Sequence, residues 1–282
     1  MAFRDLLLNI STYPEPTPLD AIDRAVELCV SLGGVLSALA LTVKIPLRSN
    51  RAADLLVGIG AIAREEEEVS RRTCAEELAH FVERAKAAGV LGGTWTAEEH
   101  LYDAADRLVV AARTRDLCLI ALGSALDGQV SVAQNVIFGS GRPVLLFRPD
   151  SPTPAGGALR SVVVAWDGSR CAARAMADAM PILLQASNVR LLSVTPEPSK
   201  AASASTLEAL RYLKAHNVTA TVHEATASGR SVGAALEGEL NDSPPDLLVM
   251  GAYGHSKLRE LILGGATEHL MRSARVPIFL SH

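Results

Sequence analysis

The chain has 282 residues, 27 basic and 31 acidic side chains and a net charge of -4, with 49% hydrophobic and 21% charged residues. That length can bury one large core or two ordinary ones, and the acidic balance is wrong for a surface that grips nucleic-acid phosphates. Apolar runs such as those at 108–112 and 246–250 fall far short of the roughly 18 residues needed to span a bilayer, and the opening MAFRDLLLNIS lacks the length and cleavage site of a secretory signal. The cytoplasm is therefore the expected location, without a membrane or nucleic-acid partner.

In chain order, Arg4 precedes Asp5-Leu6-Leu7-Leu8-Asn9-Ile10-Ser11, which predicts a buried first strand. Cys29, Cys74, Cys118 and Cys171 form no CxxC pair, so buried reduced thiols are expected and neither a zinc site nor a disulfide framework. The stretch Gly58-Ile59-Gly60-Ala61-Ile62-Ala63 has the GxGxxA form of a dinucleotide fingerprint, with Glu76 and Glu77 near the distance of a ribose contact. It does not follow the first strand of an alternating unit. A helix running through Ala88, with Glu67 to Arg71 and Glu68 to Arg72 four apart, accounts for it without a ligand, and Glu65 to Glu68 read as its solvated face. Strands are predicted at DLCLIALG (116–123) and RPVLLF (142–147). Residues 149–157, with three prolines and two glycines, predict a linker.

Beyond the linker the signals recur. Arg160 precedes Ser161-Val162-Val163-Val164-Ala165-Trp166-Asp167, DLLVMG (246–251) parallels 116–123, and VPIFL (276–280) parallels 142–147. The segments SVVVAW, CAARAMADAMPILLQA, VRLLSV, TLEALRYLKAHN, TATVHEA, VGAALEGEL and DLLVM alternate strand with helix, the order of a parallel sheet with crossover helices. The expected fold class is α/β: two tandem open, mostly parallel, Rossmann-like sheets with flanking helices, in domains at 1–149 and 158–282. In such sheets ligands bind beyond the carboxyl ends of the strands where strand order reverses, the expected place of Asp167 and Gly251.

The segment GAYGHSKLRELILGGAT (251–267) follows a strand and leads into a last helix. Glycine there lets a phosphate approach backbone N–H groups with no Cβ in the way, so a polyphosphate cradle is one reading and ordinary turn and cap glycines the other. Thr267 could add a hydroxyl, and His255, Lys257 and Arg259 could reach a phosphate or remain solvated. His216 and His223 lack metal-ligand spacing and an acidic partner at a convincing distance in sequence.

Asp167-Gly168-Ser169 after the first strand, then Gly251-x-x-Gly254, nine residues and Gly264, resembles the ATP-binding signature of the universal stress protein family. The doubled layout resembles a tandem member whose domains pair through their last strands, here RPVLLF and VPIFL. The resemblance implies an adenine-nucleotide alpha hydrolase-like fold, ATP with magnesium as its companion in the second domain, and a stress-response role as a nucleotide-linked sensor or regulator. By the same resemblance Asp167 and the backbone of Val194 hold the adenosine, while Gly251, Gly254, Gly264 and Thr267 hold the phosphates. Ser169, Met250, His255, Gly265 and Ala266 complete the set as their neighbours. Gly265 departs from the pattern, which has serine or threonine there.

The first half departs further. Ser11 stands at the position of Asp167, and Leu126 stands three residues after Gly123, where a second glycine belongs. Gly123 to Pro143 is 143 - 123 = 20 positions against 277 - 251 = 26 from Gly251 to Pro277. Through residue 150 the charge is 15 - 20 = -5, and after it 12 - 11 = +1. One nucleotide per chain is therefore expected, in the second half, with the first half a degenerate structural copy. The sequence carries no HIGH-type histidine pair and no SGGxDS, GxxxxGK[ST] or GxSxG motif, so slow ATP hydrolysis is the most catalysis expected. The alternative is a doubled adaptor that has lost its nucleotide and binds another small molecule or a protein. Two chains could associate further into a homodimer.

Overall fold

The computed structural model describes residues 3–45, 59–100, 104–123, 126–152, 154, 157–254 and 265–282. In the first half the strands are β1 (Asp5–Ser11), β2 (Val35–Lys44), β3 (Leu91–His100), β4 (Leu117–Ala121) and β5 (Val144–Phe147). In the second they are β6 (Ser161–Ala165), β7 (Asn188–Thr195), β8 (Ala220–Thr226), β9 (Leu247–Gly251) and β10 (Ile278–Ser281). All ten join one sheet in the order β3-β2-β1-β4-β5-β10-β9-β6-β7-β8. Each half thus repeats one strand order, and every neighbouring pair is parallel except β5 and β10, which run antiparallel with Leu145 opposite Phe279. The last strands of the two halves pair, as expected.

The helices are α1 (Leu19–Leu32), α2 (Ile59–Ala87), α3 (Ala104–Ala112), α4 (Leu126–Ser140), α5 (Arg170–Asp178), α6 (Met180–Leu183), α7 (Lys200–Ala215), α8 (Val232–Asp242) and α9 (Ala266–Ser273). The stretch CAARAMADAMPILLQA forms two helices, not one, because Pro181 at the start of α6 has no N–H to continue the first. Successive strand residues alternate faces: Leu6, Leu8 and Ile10 enter one buried cluster and Leu7 the other. Both clusters contain residues of both halves, and Phe3 packs on Phe279 across the junction with centroids 6.0 Å apart. Covered faces explain the unbroken apolar runs of the inner strands.

The repeat extends to side-chain detail. Asp116 Oδ2 accepts from the N–H groups of Arg4 and Asp5 at 2.8 and 3.0 Å, and Asp246 Oδ2 accepts from those of Arg160 and Ser161 at 2.9 and 2.8 Å. In each half an aspartate just before the fourth strand ties off the start of the first. This register corrects the sequence alignment. Asp246 lies five residues before Gly251, and five residues after Asp116 stands Ala121, so Ala121 and not Gly123 is the counterpart of Gly251. The shortfall of the first half is then 26 - 22 = 4 residues, counting Ala121 to Pro143 as 143 - 121 = 22.

Arg148, just past β5, reaches across the junction and donates to the carbonyls of Met271, Arg272 and Ala274 at 3.4, 2.6 and 3.1 Å. A guanidinium there satisfies the end of α9 and meets the negative end of its dipole. The linker lies along α1: buried Arg24 donates to Pro152 O at 2.7 Å, and Ser31 Oγ bonds Gly157 O.

The described part of the GxGxxA stretch, from Ile59, is the first turn of α2 and not a strand-to-helix loop; Gly58 lies outside the described residues. On that helix Arg71 pairs with Glu68 at 2.8 Å, three residues apart, and also feels the charge of Glu67, which accepts from Ile45 N–H at 2.9 Å. Glu77 is 2% exposed, with no hydrogen-bond partner at bonding geometry for either carboxylate oxygen among the described residues. Burial pushes its carboxyl from 4.5 up to about 8, offset in part by the Thr17 N–H, which itself donates to Ser11 O at 2.8 Å. All four cysteines are buried, and burial pushes Cys29 and Cys118 up to about 12, which keeps both as unreactive thiols at neutral pH.

Two tests follow from this architecture. Asp246→Ala removes a charged acceptor from two backbone donors and should lower stability by about 1 to 2 kcal/mol, with Asp116→Ala behaving alike, as read by urea denaturation. Expressed apart, residues 1–149 and 158–282 should self-associate or aggregate through the bared β5 and β10 edges; two monomeric halves by light scattering would contradict that.

Candidate functional site

At the carboxyl ends of β6, β7 and β9, where the strand order of the second half reverses, lies a cavity of about 410 Å³. Its floor is apolar: Ala165, Leu192, Val194 and Met250 come from strand ends, and Leu236 from α8. Trp166 forms part of the wall, its indole N–H donating to Ser205 Oγ of α7 at 3.1 Å. Asp167 stands exposed at the mouth, where its Oδ1 accepts from Ser169 N–H at 2.9 Å. Ser169 in turn caps α5, its Oγ accepting from Ala172 N–H at 3.1 Å. Asp167 therefore does not cap the helix itself; it braces the residue that does.

The glycines differ in why they are glycine. A Cβ on Gly251 would collide with the backbone of Ala172 and stand 2.5 Å from Cys171 C, so its bareness serves the approach of α5 to β9. A Cβ on Gly254 would stand 2.6 Å from Ser169 Oγ. A Cβ on Gly265 would meet no atom within 4 Å among the described residues, and its backbone is ordinary, φ -69 and ψ 171, which any residue adopts. The left-handed conformation that would have penalised serine at 265 is absent.

Gly265 is also the N-cap of α9. Helices α5, α7 and α8 are each capped by a serine, Ser169, Ser199 and Ser231, whose Oγ accepts from the N–H three residues on. Helix α9 has no side-chain cap, and its first residues, Gly265, Ala266 and Thr267, line the cavity. Unpaired N–H groups at a helix start carry partial positive charge and suit an anion. Thr267 is buried, and its Oγ1 accepts from Tyr253 N–H at 3.3 Å, which leaves its O–H a donor.

Of the residues singled out from sequence, Asp167, Val194, Met250, Gly251, Gly254, Gly265, Ala266 and Thr267 line this one cavity. Ser169 stands beneath Asp167 as a cap, off the wall. His255 and Gly264, with Lys257 and Arg259, lie outside the described residues. Sequence reasoning missed Trp166, Ser205 and Tyr253. Tyr253 has φ 57, a conformation rare for a residue with a side chain, and burial pushes its phenol upward. Its position between two glycines was the available signal. His223, without a partner in the sequence reading, meets Glu239 of α8 at 2.9 Å.

In the first half the corresponding polar groups bond to one another. Ser11 N–H donates to Thr17 Oγ1 at 2.8 Å, Thr12 Oγ1 bonds Leu41 O at 2.8 Å and Ser70 Oγ at 2.6 Å, and Gly123 N–H is taken by Gln129 Oε1.

The family model described as the Universal stress protein family matches residues 158–282. A crystal structure of a universal stress protein from Archaeoglobus fulgidus is similar over 99% of this chain and 97% of its own, at 17% identity and a TM-score of 0.71. A protein from Pseudomonas aeruginosa UCBPP-PA14 given the same description is similar over 99% and 93%, at 14% identity and 0.57. At such identities the likeness is one of fold. A universal stress protein of Synechocystis sp. is 43% identical over 37 residues, so this chain matches 13% of that relative's length. Residues 158–282 thus match the universal stress protein family, and the full length of the chain shares the doubled fold of the Archaeoglobus protein.

Proposed function

We propose that the second half binds an adenine nucleotide, ATP, in this cavity, and that the chain serves the stress response in the cytoplasm as a nucleotide-linked sensor or regulator. The observation that carries the reading is the join, in one cavity, of an apolar slot to the uncapped start of α9. Leu192, Val194, Met250 and Leu236 offer a purine ring the dispersion contacts it loses on leaving water. Asp167 offers an acceptor for a ribose hydroxyl or the adenine amino group, and the N–H groups of residues 265–267 offer donors to phosphate. Magnesium would accompany the phosphates.

The arrangement favours holding the nucleotide over cleaving it. Glu268, the acid beside Thr267, is buried and accepts from Arg272 Nε at 3.2 Å, so it is held in an ion pair and not aimed as a base at water. The reading is tested first by mass spectrometry of nucleotide released on denaturing the purified chain. Calorimetric titration should then give one ATP per chain, and two equivalent sites would contradict it. Asp167→Ala should weaken ATP by roughly tenfold to a hundredfold, the worth of a charged hydrogen bond. A lower melting temperature with unchanged affinity would reduce Asp167 to a brace for Ser169.

Gly265→Asp separates a phosphate site from a merely exposed helix start. The backbone accepts the side chain without strain, and an aspartate cap should stabilise the fold by up to about 1 kcal/mol. The same carboxylate would take the N–H groups and repel phosphate. ATP affinity should therefore fall by about tenfold or more while the melting temperature rises, and adenosine should bind nearly as before. Unchanged ATP affinity in this variant would remove α9 from the binding site.

A further inference from the structure

Tyr253 touches three parts of the molecule at once. It lines the cavity, and its N–H donates to Thr267 Oγ1 in the first turn of α9. Its hydroxyl accepts from Gln134 Nε2 at 2.7 Å, and its ring lies 5.0 Å from that of Phe138 at 42°. Gln134 and Phe138 belong to α4, in the first half. The junction of the sheet brings them there: because β5 and β10 are antiparallel, Val144 at the start of β5 stands opposite Leu280 near the end of β10. Helix α4, which ends just before β5, therefore delivers its carboxyl end to the carboxyl ends of β9 and β10, where the cavity opens. The grip continues on the other side of the loop. Phe138 meets the ring of His282 edge-on at 4.9 Å, and His282 Nδ1 donates to Ala252 O at 2.8 Å.

A tyrosine at φ 57 has a strained backbone and persists only where its surroundings hold it. Gln134 and Phe138 contribute to that hold from the first half, beside Met271 of α9, whose Sδ accepts from the Tyr253 hydroxyl at 3.7 Å. Were it released, Tyr253 could relax to negative φ and carry its N–H off Thr267, changing the donors that the start of α9 presents to the cavity.

We propose that helix α4 of the first half is a positioning element for the second half's ligand site, acting through Gln134 and Phe138 on Tyr253. The half that is filled at its own site thus completes the other's. The inference rests on the nucleotide reading for what the site holds, but the positioning itself does not depend on it. Coupling is reciprocal, so a ligand that stabilises this arrangement of Tyr253 also tightens the contact between halves.

The test uses the full chain with Gln134→Ala, Tyr253→Phe, the double variant, and Asn135→Ala as a control, since Asn135 is an exposed neighbour that bonds Ser131 O of its own helix. Hydrogen exchange of the amides at 252–254 and 266–268 is measured without ligand, and affinities for ATP and adenosine by calorimetry. Each single variant should speed exchange at those amides and weaken ATP by about threefold to tenfold, the worth of one neutral hydrogen bond. Adenosine should change less, the double variant should lose no more than either single, and the control should match the parent. Unchanged exchange in the single variants, or additive losses in the double, would overturn the proposal. If the parent binds no nucleotide, the functional reading falls, and the exchange arm alone still decides whether α4 positions Tyr253.

Discussion

The antiparallel pairing of β5 with β10 governs the rest of the molecule. A parallel sheet ending in a short apolar strand has an open edge, and each half here ends in one: VLLF in the first, IFLS in the second. Joining the two edges makes a single sheet whose inner strands are covered on both faces, so the apolar clusters on either face run from one half into the other. Antiparallel joining also reverses the direction of the strands. Each half's last helix then ends near the other half's strand ends, which is why Arg148 can satisfy the end of α9 and Gln134 can reach Tyr253.

Within this frame the two halves use the same position differently. At the strand ends of the second half, helices α5, α7 and α8 begin on serines that satisfy their own first turns, whereas α9 begins on Gly265 and faces a cavity. In the first half Thr12 bonds Ser70, and Gln129 takes the Gly123 N–H, at the equivalent strand ends. A buried polar group must find a partner, in the chain or in something that binds it. The first half meets that demand internally, whereas in the second the first residues of α9, which carry no side-chain cap, line a cavity.

Much of this was legible in the sequence because it rests on local pattern. Apolar runs such as VVVA and LLVM announced strands covered on both faces, proline-rich 149–157 announced the break, and the resemblance to tandem family members pointed to RPVLLF and VPIFL as the strands that pair. What escaped depended on contacts between distant residues. The role of Asp116 and Asp246 could be seen only when their carboxylates met the start of the first strand more than 80 residues away, and without it Gly123 was matched to Gly251 two positions out of register. Tyr253 escaped because a positive φ is not written in a residue's type. Of the glycines, sequence showed their spacing but not that Gly251 answers to a neighbouring helix while Gly265 stands clear.

Glu77 gives the first half a character of its own. A carboxyl that keeps its proton to about pH 8 when folded, against 4.5 when unfolded, makes folding a proton-binding event across that interval. Its favourable contribution is complete below 4.5 and shrinks as pH rises toward 8, beyond which the folded chain must bury an unpaired charge. At this point alkali, not acid, loosens the fold. Because α2 carries both Glu77 and the Ser70 that bonds Thr12, the proton is held by the same helix that closes the first half's strand ends.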